Sequence, residues 1–335
     1  MHDFWRSRFL LEVLLVVELV CGGCAASSPV ERAAPEYVAA EFQPGQEIPV
    51  MSESHLDSLN RYLSVVAVTT SFRLPNRGTD IRTCTGALIH PQVVLTAGHC
   101  VCHERKALPP ELSGTSTLDG STCAGVSTVE VLRYDADERG ETRAEVLGTY
   151  SGRVEPHGSL WIRYKEVETE GGWQTSAESS TADLAVIFLE RPMPGEVKPV
   201  KLADQPVWLK ERVLMVGYGT TSGMLKPTRP VRRYGENEVA SLREDGATFY
   251  VGRQYEIEPV YRGEKPSLMR VKGSYAEKGD SGGPCFRERK GELELVGVAR
   301  STLSPPVVLS SYTSVPKYLK WIRQKVAEAE SRGTD

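Results

Sequence analysis

The stretch KGDSGGP at residues 278–284 decides the fold more than any other part of the chain. Its serine, Ser281, lies among three glycines, which let the backbone adopt positive φ values and let a ligand approach closely. A tight turn of this kind directs the N–H groups of Gly279 and Ser281 at one point beside the hydroxyl. This is the layout of a nucleophile with its oxyanion hole, although a plain turn between strands fits the same residues.

A serine hydroxyl becomes a strong nucleophile only when a base accepts its proton and a third group orients that base. Residues 84–100 read CTGALIHPQVVLTAGHC, two short apolar strands joined by a His-Pro turn, and carry His99 at their end. Residues 181–189 read TADLAVIFL, a buried strand led by Asp183, and such an acid is costly to bury without hydrogen bonds. Alone, His99 fits a structural histidine and Asp183 a cap. Together, in the order His, Asp, Ser, the three predict a catalytic triad.

These motifs resemble those of serine endopeptidases of the chymotrypsin/trypsin family. Residues 213–219 (VLMVGYG) resemble the family's V-x-G-W-G strand, and residues 295–299 (LVGVA) resemble the strand that leads to the substrate-binding edge. Residues 311–322 resemble the last strand and the C-terminal helix, so that the resemblance covers residues 62–328. It implies an all-β fold of two antiparallel six-stranded β-barrels with the active site between them, plus a C-terminal helix.

The resemblance also implies the role of each site residue. Ser281 would attack a peptide carbonyl, His99 would accept its proton, and Asp183 would hold the imidazole. The N–H groups of Gly279 and Ser281 would bind the oxyanion. The substrate is then a protein or peptide, and no cofactor is expected. The 84 residues from His99 to Asp183 exceed the family's usual spacing, which predicts an insertion within residues 103–180.

Composition agrees with an ordinary globular protein. The 335 residues are 40% hydrophobic and 25% charged, which suits one large or two moderate domains. A net charge of −4 gives no reason to expect a nucleic acid or an anionic membrane surface as partner. Short apolar runs separated by Gly, Pro, Asn and Asp are typical of an all-β protein. One helix is predicted, from residue 316 to about residue 330, and we expect a monomer.

The N-terminal region is typical of an exported protein. Two arginines precede an apolar run at residues 9–20 that is too short to span a bilayer, so residues 1–24 read as an export signal. The CGGC sequence that ends at Cys24 resembles a bacterial lipoprotein signal, in which Cys24 would be lipidated and anchor the protein to a bacterial membrane. Two glutamates within the run depart from that pattern, and an ordinary cleaved secretory signal is the alternative. Residues 25–57 read as a flexible tether or pro-segment, and residues 58–330 as the protease domain.

Five cysteines lie outside the signal region, and an exported protein permits disulfides. The family resemblance pairs Cys84 with Cys100. Cys102 and Cys123 are then the natural local pair, which leaves Cys285 as a free buried thiol. A zinc site in the CVCH sequence at residues 100–103 is the rival interpretation, but its spacing is unusual for tetrahedral ligation. No metal is therefore expected.

The sequence departs from the family in the substrate pocket and in the activation segment. The pocket residues map to Tyr275 at the base, and to Arg300, Thr302 and Ser310 on the walls. Arg300 would either favour an acidic or polar substrate side chain, or stand in solvent on its strand. The N-terminus that the family frees by cleavage, and that pairs with the residue here numbered Asp280, has no clear counterpart in residues 48–62.

These departures motivate two competing hypotheses. One is a catalytically silent, surface-tethered binding module on a protease fold. The other is a regulatory sensor protease or an acyl hydrolase that is not a protease. A binding module has no physical need to keep His99, Asp183, Ser281 and Gly279 together. The sequence therefore predicts an exported serine endopeptidase, either a cell-envelope lipoprotein or a secreted enzyme.

Overall fold

The structure is a computed structural model that describes residues 50–51, 54–73, 78–106, 114–136, 142–169, 172–219, 231–253, 257–262, 265–271, 273–303 and 308–332. The predicted export signal, Cys24 and residues 25–49 of the predicted tether lie outside the described residues. In the described part of the chain, no helix combines the length and the apolar character needed to cross a bilayer.

Strands form most of the regular structure of the described chain. In chain order they are β1 (Val50–Met51), β2 (His55–Leu56), β3 (Val65–Arg73), β4 (Thr79–His90), β5 (Val93–Thr96), β6 (Arg105–Lys106), β7 (Thr115–Asp119), β8 (Val126–Ala136), β9 (Thr142–Pro156), β10 (Trp161–Thr169), β11 (Gly172–Thr181), β12 (Ala185–Leu189), β13 (Lys201–Leu202), β14 (Arg212–Gly217), β15 (Arg233–Leu242), β16 (Thr248–Val251), β17 (Ile257–Arg262), β18 (Lys265–Val271), β19 (Pro284–Arg289), β20 (Glu292–Leu303) and β21 (Leu309–Ser314). The short helix α1 (Gly98–Val101) follows β5, the 3₁₀ turn Gly120–Thr122 follows β7, and the long helix α2 (Val315–Arg332) follows β21.

The first half of the chain forms a closed barrel in the order β12-β5-β4-β3-β8-β9. Every neighbouring pair is antiparallel. Every residue of β5 and β12 is buried, which explains their continuous apolar sequences, since polar residues alternate only on strands with one face in water. These two strands adjoin the segments that carry His99 and Asp183.

The second half forms a ring of six antiparallel strands, β20-β19-β14-β15-β16-β21, which the pairing of β20 with β21 closes. Strands β2 and β13 pair with β15 and β20 at its rim. The predicted all-β fold of two six-stranded barrels with a C-terminal helix is therefore confirmed.

Helix α2 covers and slightly extends the helix predicted for residues 316 to 330. Ile322 is fully buried, and the half-buried Trp321 packs against the same core, as the pattern of apolar residues predicts. The helix also contacts the segment that carries Asp183, because the hydroxyl of Tyr318 accepts a hydrogen bond from the N–H of Ala182 at 3.2 Å. Ala182 directly precedes the predicted catalytic acid.

The expected insertion contains an extra sheet. Strands β6, β7, β10 and β11 form a four-stranded antiparallel sheet in the order β11-β10-β7-β6. Its strands come from two loops, one after α1 and one before Asp183. We call this the insertion sheet. Because one loop follows His99 and the other precedes Asp183, the sheet lies beside both residues.

Two disulfide bonds hold α1 and the loop that follows it. Cys84 is bonded to Cys100, which joins β4 to α1, and Cys102 is bonded to Cys123, which closes the loop that carries β7. Cys285 is a free thiol in the core of the second barrel. Because all four bridged cysteines lack a free thiolate, the CVCH sequence at residues 100–103 cannot offer zinc the ligands of the rival interpretation.

Replacing both Cys84 and Cys100 by alanine is expected to lower the free energy of unfolding by about 2–5 kcal/mol, since the bridge restricts the unfolded chain. Denaturant unfolding of the double variant and the wild type measures the difference. Disulfide mapping without reductant provides the control, because only Cys285 among these five residues is expected to react with an alkylating reagent after unfolding. A peptide linking Cys285 to Cys123 would contradict the assignment.

Candidate active site

The structure holds His99 and Asp183 together through two hydrogen bonds. The Nδ1 atom of His99 lies 2.8 Å from Oδ2 of Asp183, and the backbone N–H of His99 donates to Oδ1 at 2.9 Å. Burial raises the pKa of Asp183, but the charge and hydrogen bonds of His99 and the charge of Arg300 outweigh burial, so that the pKa is lowered overall. An ionised carboxylate only accepts hydrogen bonds, so Nδ1 carries the proton and Nε2 is left as the basic nitrogen.

Two local features of the sequence make this contact close. A Cβ on Gly98 would lie 2.6 Å from a methyl carbon of Leu160 and 3.2 Å from Oδ1 of Asp183, so only glycine leaves room there. Ala182 has a φ of 47°, in the left-handed region that residues with a Cβ rarely adopt. This turn ends β11 and directs Asp183 toward α1.

The loop that carries Ser281 is attached to the first barrel. The carbonyl of Ser281 accepts a hydrogen bond from the N–H of Thr85 on β4 at 2.8 Å. Gly282 has a φ of 80°, and a Cβ there would collide with Oγ1 of Thr96, three residues before His99. The structure therefore places the serine loop of the second barrel against the segment that leads into α1.

The backbone around Ser281 leaves two N–H groups available. The N–H groups of residues 280, 282 and 283 each donate to a backbone carbonyl. Those of Gly279 and Ser281 make no hydrogen bond within the described part of the chain. The hydroxyl of Thr85 donates to the carbonyl of Gly279 at 2.8 Å, which fixes the orientation of the loop. Thr85 was not singled out by the sequence, although it directly follows Cys84 in the histidine-bearing stretch.

Asp280 is buried directly beside this loop. Its carboxylate accepts hydrogen bonds from the N–H of Gly219 at 2.7 Å and from the N–H of Glu277 at 2.8 Å. It lines a cavity with Arg233, whose guanidinium donates to the carbonyl of Ser54 at 2.7 Å. Burial raises the pKa of Asp280, although these backbone hydrogen bonds and the charge of Arg233 act in the opposite direction. The carboxylate is thus held by backbone groups in the uncleaved chain.

The residues mapped to the substrate pocket are mostly enclosed. Tyr275 is buried, and its hydroxyl accepts a hydrogen bond from the N–H of Arg253 at 3.2 Å. Ser310 is fully buried, and its Oγ accepts from the N–H of Ala276 at 2.7 Å. Thr302 pairs with Ser310 on the adjacent strand, and its side chain lies outside the described part of the structure. The hydroxyls of Tyr275 and Ser310 are therefore already engaged by backbone groups.

Arg300 is enclosed beside the acid of the candidate triad. Its side chain is only 13% exposed, and its Nε lies 3.9 Å from Oδ2 of Asp183. Nη1 donates to the hydroxyl of Thr248 at 2.8 Å. The expectation of a solvated strand residue is wrong, because the buried carboxylate attracts the guanidinium inward. Its contacts are with Asp183 and Thr248, and its mapping to the substrate pocket stays a prediction.

Tyr164 of the insertion sheet is a further residue near the acid that sequence reasoning missed. Burial raises the pKa of its hydroxyl, as do the negative charges of Asp183 and Glu104, while Arg82 and Arg300 lower it. Tyr164 is therefore a neutral phenol at physiological pH. The one signal in the sequence is that Tyr164 lies in the segment before Asp183. Its contacts could not be predicted, because they depend on how the insertion folds.

Comparison with known proteins agrees with this architecture. Residues 67–322 match the trypsin family, so the chain belongs to that family and the predicted resemblance to chymotrypsin/trypsin-like proteins is confirmed. The chain is 23% identical over 269 residues to phenoloxidase-activating enzyme 1 of Spodoptera litura. That alignment covers 76% of this chain and 61% of the relative, so the chain spans less than two thirds of the relative's length.

Proposed function

We propose that the protein is an exported serine endopeptidase that hydrolyses peptide bonds through an acyl-enzyme, with His99, Asp183 and Ser281 as its triad. The observation that carries this proposal is the pair of hydrogen bonds from His99 to the buried Asp183. A carboxylate that binds both the ring and the backbone of a histidine orients the imidazole as a general base requires. The trypsin-family match supports the same class of reaction.

In this mechanism Nε2 of His99 accepts the proton of the Ser281 hydroxyl as Oγ attacks the peptide carbonyl. Asp183 holds the ring and stabilises the imidazolium that forms. The N–H groups of Gly279 and Ser281 donate to the oxyanion, and losing one such donor typically costs about 3 kcal/mol of transition-state stabilisation. The imidazolium then protonates the leaving amine. A water molecule, deprotonated by His99, hydrolyses the acyl-enzyme and restores Ser281.

A catalytically silent binding module is the second candidate. The specific observation in its favour is the enclosed pocket, in which Tyr275 and Ser310 are buried and hydrogen-bonded. Against it stand the two N–H groups left available at Gly279 and Ser281, which a binding module has no need to keep.

Reaction with a fluorophosphonate probe separates the two candidates. The folded endopeptidase is expected to bind one probe molecule, and mass spectrometry of the digested protein is expected to locate it on the peptide containing Ser281. Heat-denatured protein serves as the control, since an unfolded serine is a weak nucleophile. An unlabelled but folded protein would favour the binding module. Cleavage of a peptide library by the active enzyme would then define the preferred substrate side chain.

Export and anchoring can be tested at the mature N-terminus. If Cys24 carries a lipid, the mature protein is expected to begin with an acylated cysteine and to partition with membranes, and Cys24→Ser is expected to release it. Residues 25–49 would then act as a flexible leash with ends roughly 25–30 Å apart, because residues 54–57 of the predicted tether belong to the fold: β2 pairs with β15, and Asp57 is buried. Intact-mass measurement and N-terminal sequencing check this. A free N-terminus within residues 48–62 would instead indicate a cleaved pro-segment whose new amine could pair with Asp280.

A further inference from the structure

The guanidinium of Arg300 lies beside the acid of the proposed triad without binding it directly. Its Nε is 3.9 Å from Oδ2 of Asp183, the same oxygen that lies 2.8 Å from Nδ1 of His99. A separation of 3.9 Å exceeds hydrogen-bond distance. Arg300 therefore adds a positive charge at this oxygen while leaving its hydrogen bond to His99 intact.

Arg300 is fixed in this place by a neighbouring strand. Nη1 donates to the hydroxyl of Thr248 on β16 at 2.8 Å, and Thr248 is itself buried. The Nε atom is buried and has no hydrogen-bond partner within the described residues. Burying a cation in this way is costly unless an opposite charge compensates it. The nearby Asp183 carboxylate provides that compensation.

The other titratable groups near His99 and Asp183 do not neutralise the positive charge of Arg300. Tyr164 of the insertion sheet and Tyr318 of α2 have pKa values raised chiefly by burial, so both are neutral phenols. Arg82 on β4 adds a second cation, which donates to the carbonyl of His99 at 2.8 Å. Glu104 is an acid whose charge acts on Tyr164, and its carboxylate accepts a hydrogen bond from the hydroxyl of Ser116 at 2.7 Å.

A fixed cation affects the two members of the His–Asp pair in opposite ways. It stabilises the ionised carboxylate of Asp183, and it repels a positively charged imidazolium on His99. We propose that Arg300 is a positioning residue whose charge keeps Asp183 ionised and disfavours protonation of His99, so that the general base stays available at lower pH. This inference rests on the proposed function and adds to it the pH range in which the enzyme works.

The test compares the pH dependence of kcat/KM for variants of Arg300. Arg300→Met removes the charge and keeps most of the side-chain length. It is expected to shift the midpoint of the acid limb (the acid side of the kcat/KM profile) to a pH higher by about one unit, which is the shift that a unit charge several ångströms away produces in a protein. Arg300→Lys keeps the charge and is expected to restore most of the wild-type limb. Arg212→Met, which removes an exposed arginine of β14, is the matched control and should leave the limb unchanged.

A second readout does not depend on activity. In the Ser281→Ala protein, the NMR titration midpoint of the His99 ring should rise when Arg300→Met is added, even if the protein proves not to be a peptidase. Thr248→Val, which frees the guanidinium without removing it, should move the midpoint in the same direction by less and serves if Arg300→Met does not fold. An unchanged midpoint in the folded variants, or equal shifts in Arg300→Met and Arg300→Lys, would overturn the inference.

Discussion

Ser281→Ala is expected to lower kcat by about 10⁴- to 10⁶-fold, because removal of a triad nucleophile leaves only substrate binding and oxyanion stabilisation. The carbonyl of residue 281 would still accept the hydrogen bond from Thr85, so the loop and the fold should remain intact. Steady-state kinetics on a peptide substrate would measure the loss, and circular dichroism would verify folding.

A second serine-to-alanine variant distinguishes loss of the nucleophile from a loss of activity that any such substitution would cause. Ser71 is exposed on β3 of the first barrel, and Ser71→Ala should keep wild-type activity. If Ser281→Ala kept activity within about tenfold of the wild type, a loss of the size found for triad nucleophiles would be ruled out. The nucleophile would then have to lie elsewhere.

Arg232→Met is expected to lower the free energy of unfolding by about 3–5 kcal/mol, because it leaves the carboxylate of Asp57 buried without its cation. Both side chains are almost completely buried, and Nε of Arg232 donates to Oδ2 of Asp57 at 2.8 Å. Nη1 of Arg232 also donates to the carbonyl of Leu132 on β8 at 2.8 Å and to the hydroxyl of Tyr218 at 3.0 Å. The guanidinium thus joins β8 of the first barrel, the residue that follows β14 of the second, and the segment before β3.

Denaturant unfolding of four variants tests this assignment. The double variant Asp57→Leu/Arg232→Met should lose less stability than the sum of its two single variants, because neither buried charge then stays unpaired. Arg212→Met, which breaks an exposed pair with Glu236, should change stability little. Strict additivity of the two single variants would show that Asp57 and Arg232 do not depend on each other.

The sequence alone predicted the parts of the protein that short motifs define. Each motif around His99, Asp183 and Ser281 is a local run of apolar residues, turns and glycines, so its backbone is largely set by neighbouring residues. The position of Arg300 could not be predicted in this way. It depends on a carboxylate from the other barrel and on Thr248 of a different strand, and both contacts exist only after the barrels have packed together.

Sequence pattern alone also misplaces the start of a strand, for a similar reason. The run of mainly apolar residues at 63–70 is typical of a strand, but β3 begins at Val65. The carboxylate of Asp57 accepts hydrogen bonds from the N–H groups of Arg61 and Tyr62, which holds residues 61–64 in a turn. A side chain several residues away therefore set the boundary, and hydrophobic pattern alone does not report such a contact.

The hydrogen bond from Thr85 to the carbonyl of Gly279 joins residues that are 194 positions apart in the chain. Contacts so distant in sequence are slow to form, because the entropy cost of closing a long loop comes before the contacts can stabilise the chain. A newly made chain can complete its first barrel, with His99 and Asp183 in place, before the serine loop exists beside them. Under the proposed function, a chain in which this contact has not formed would lack the complete triad and would not cleave itself or its neighbours.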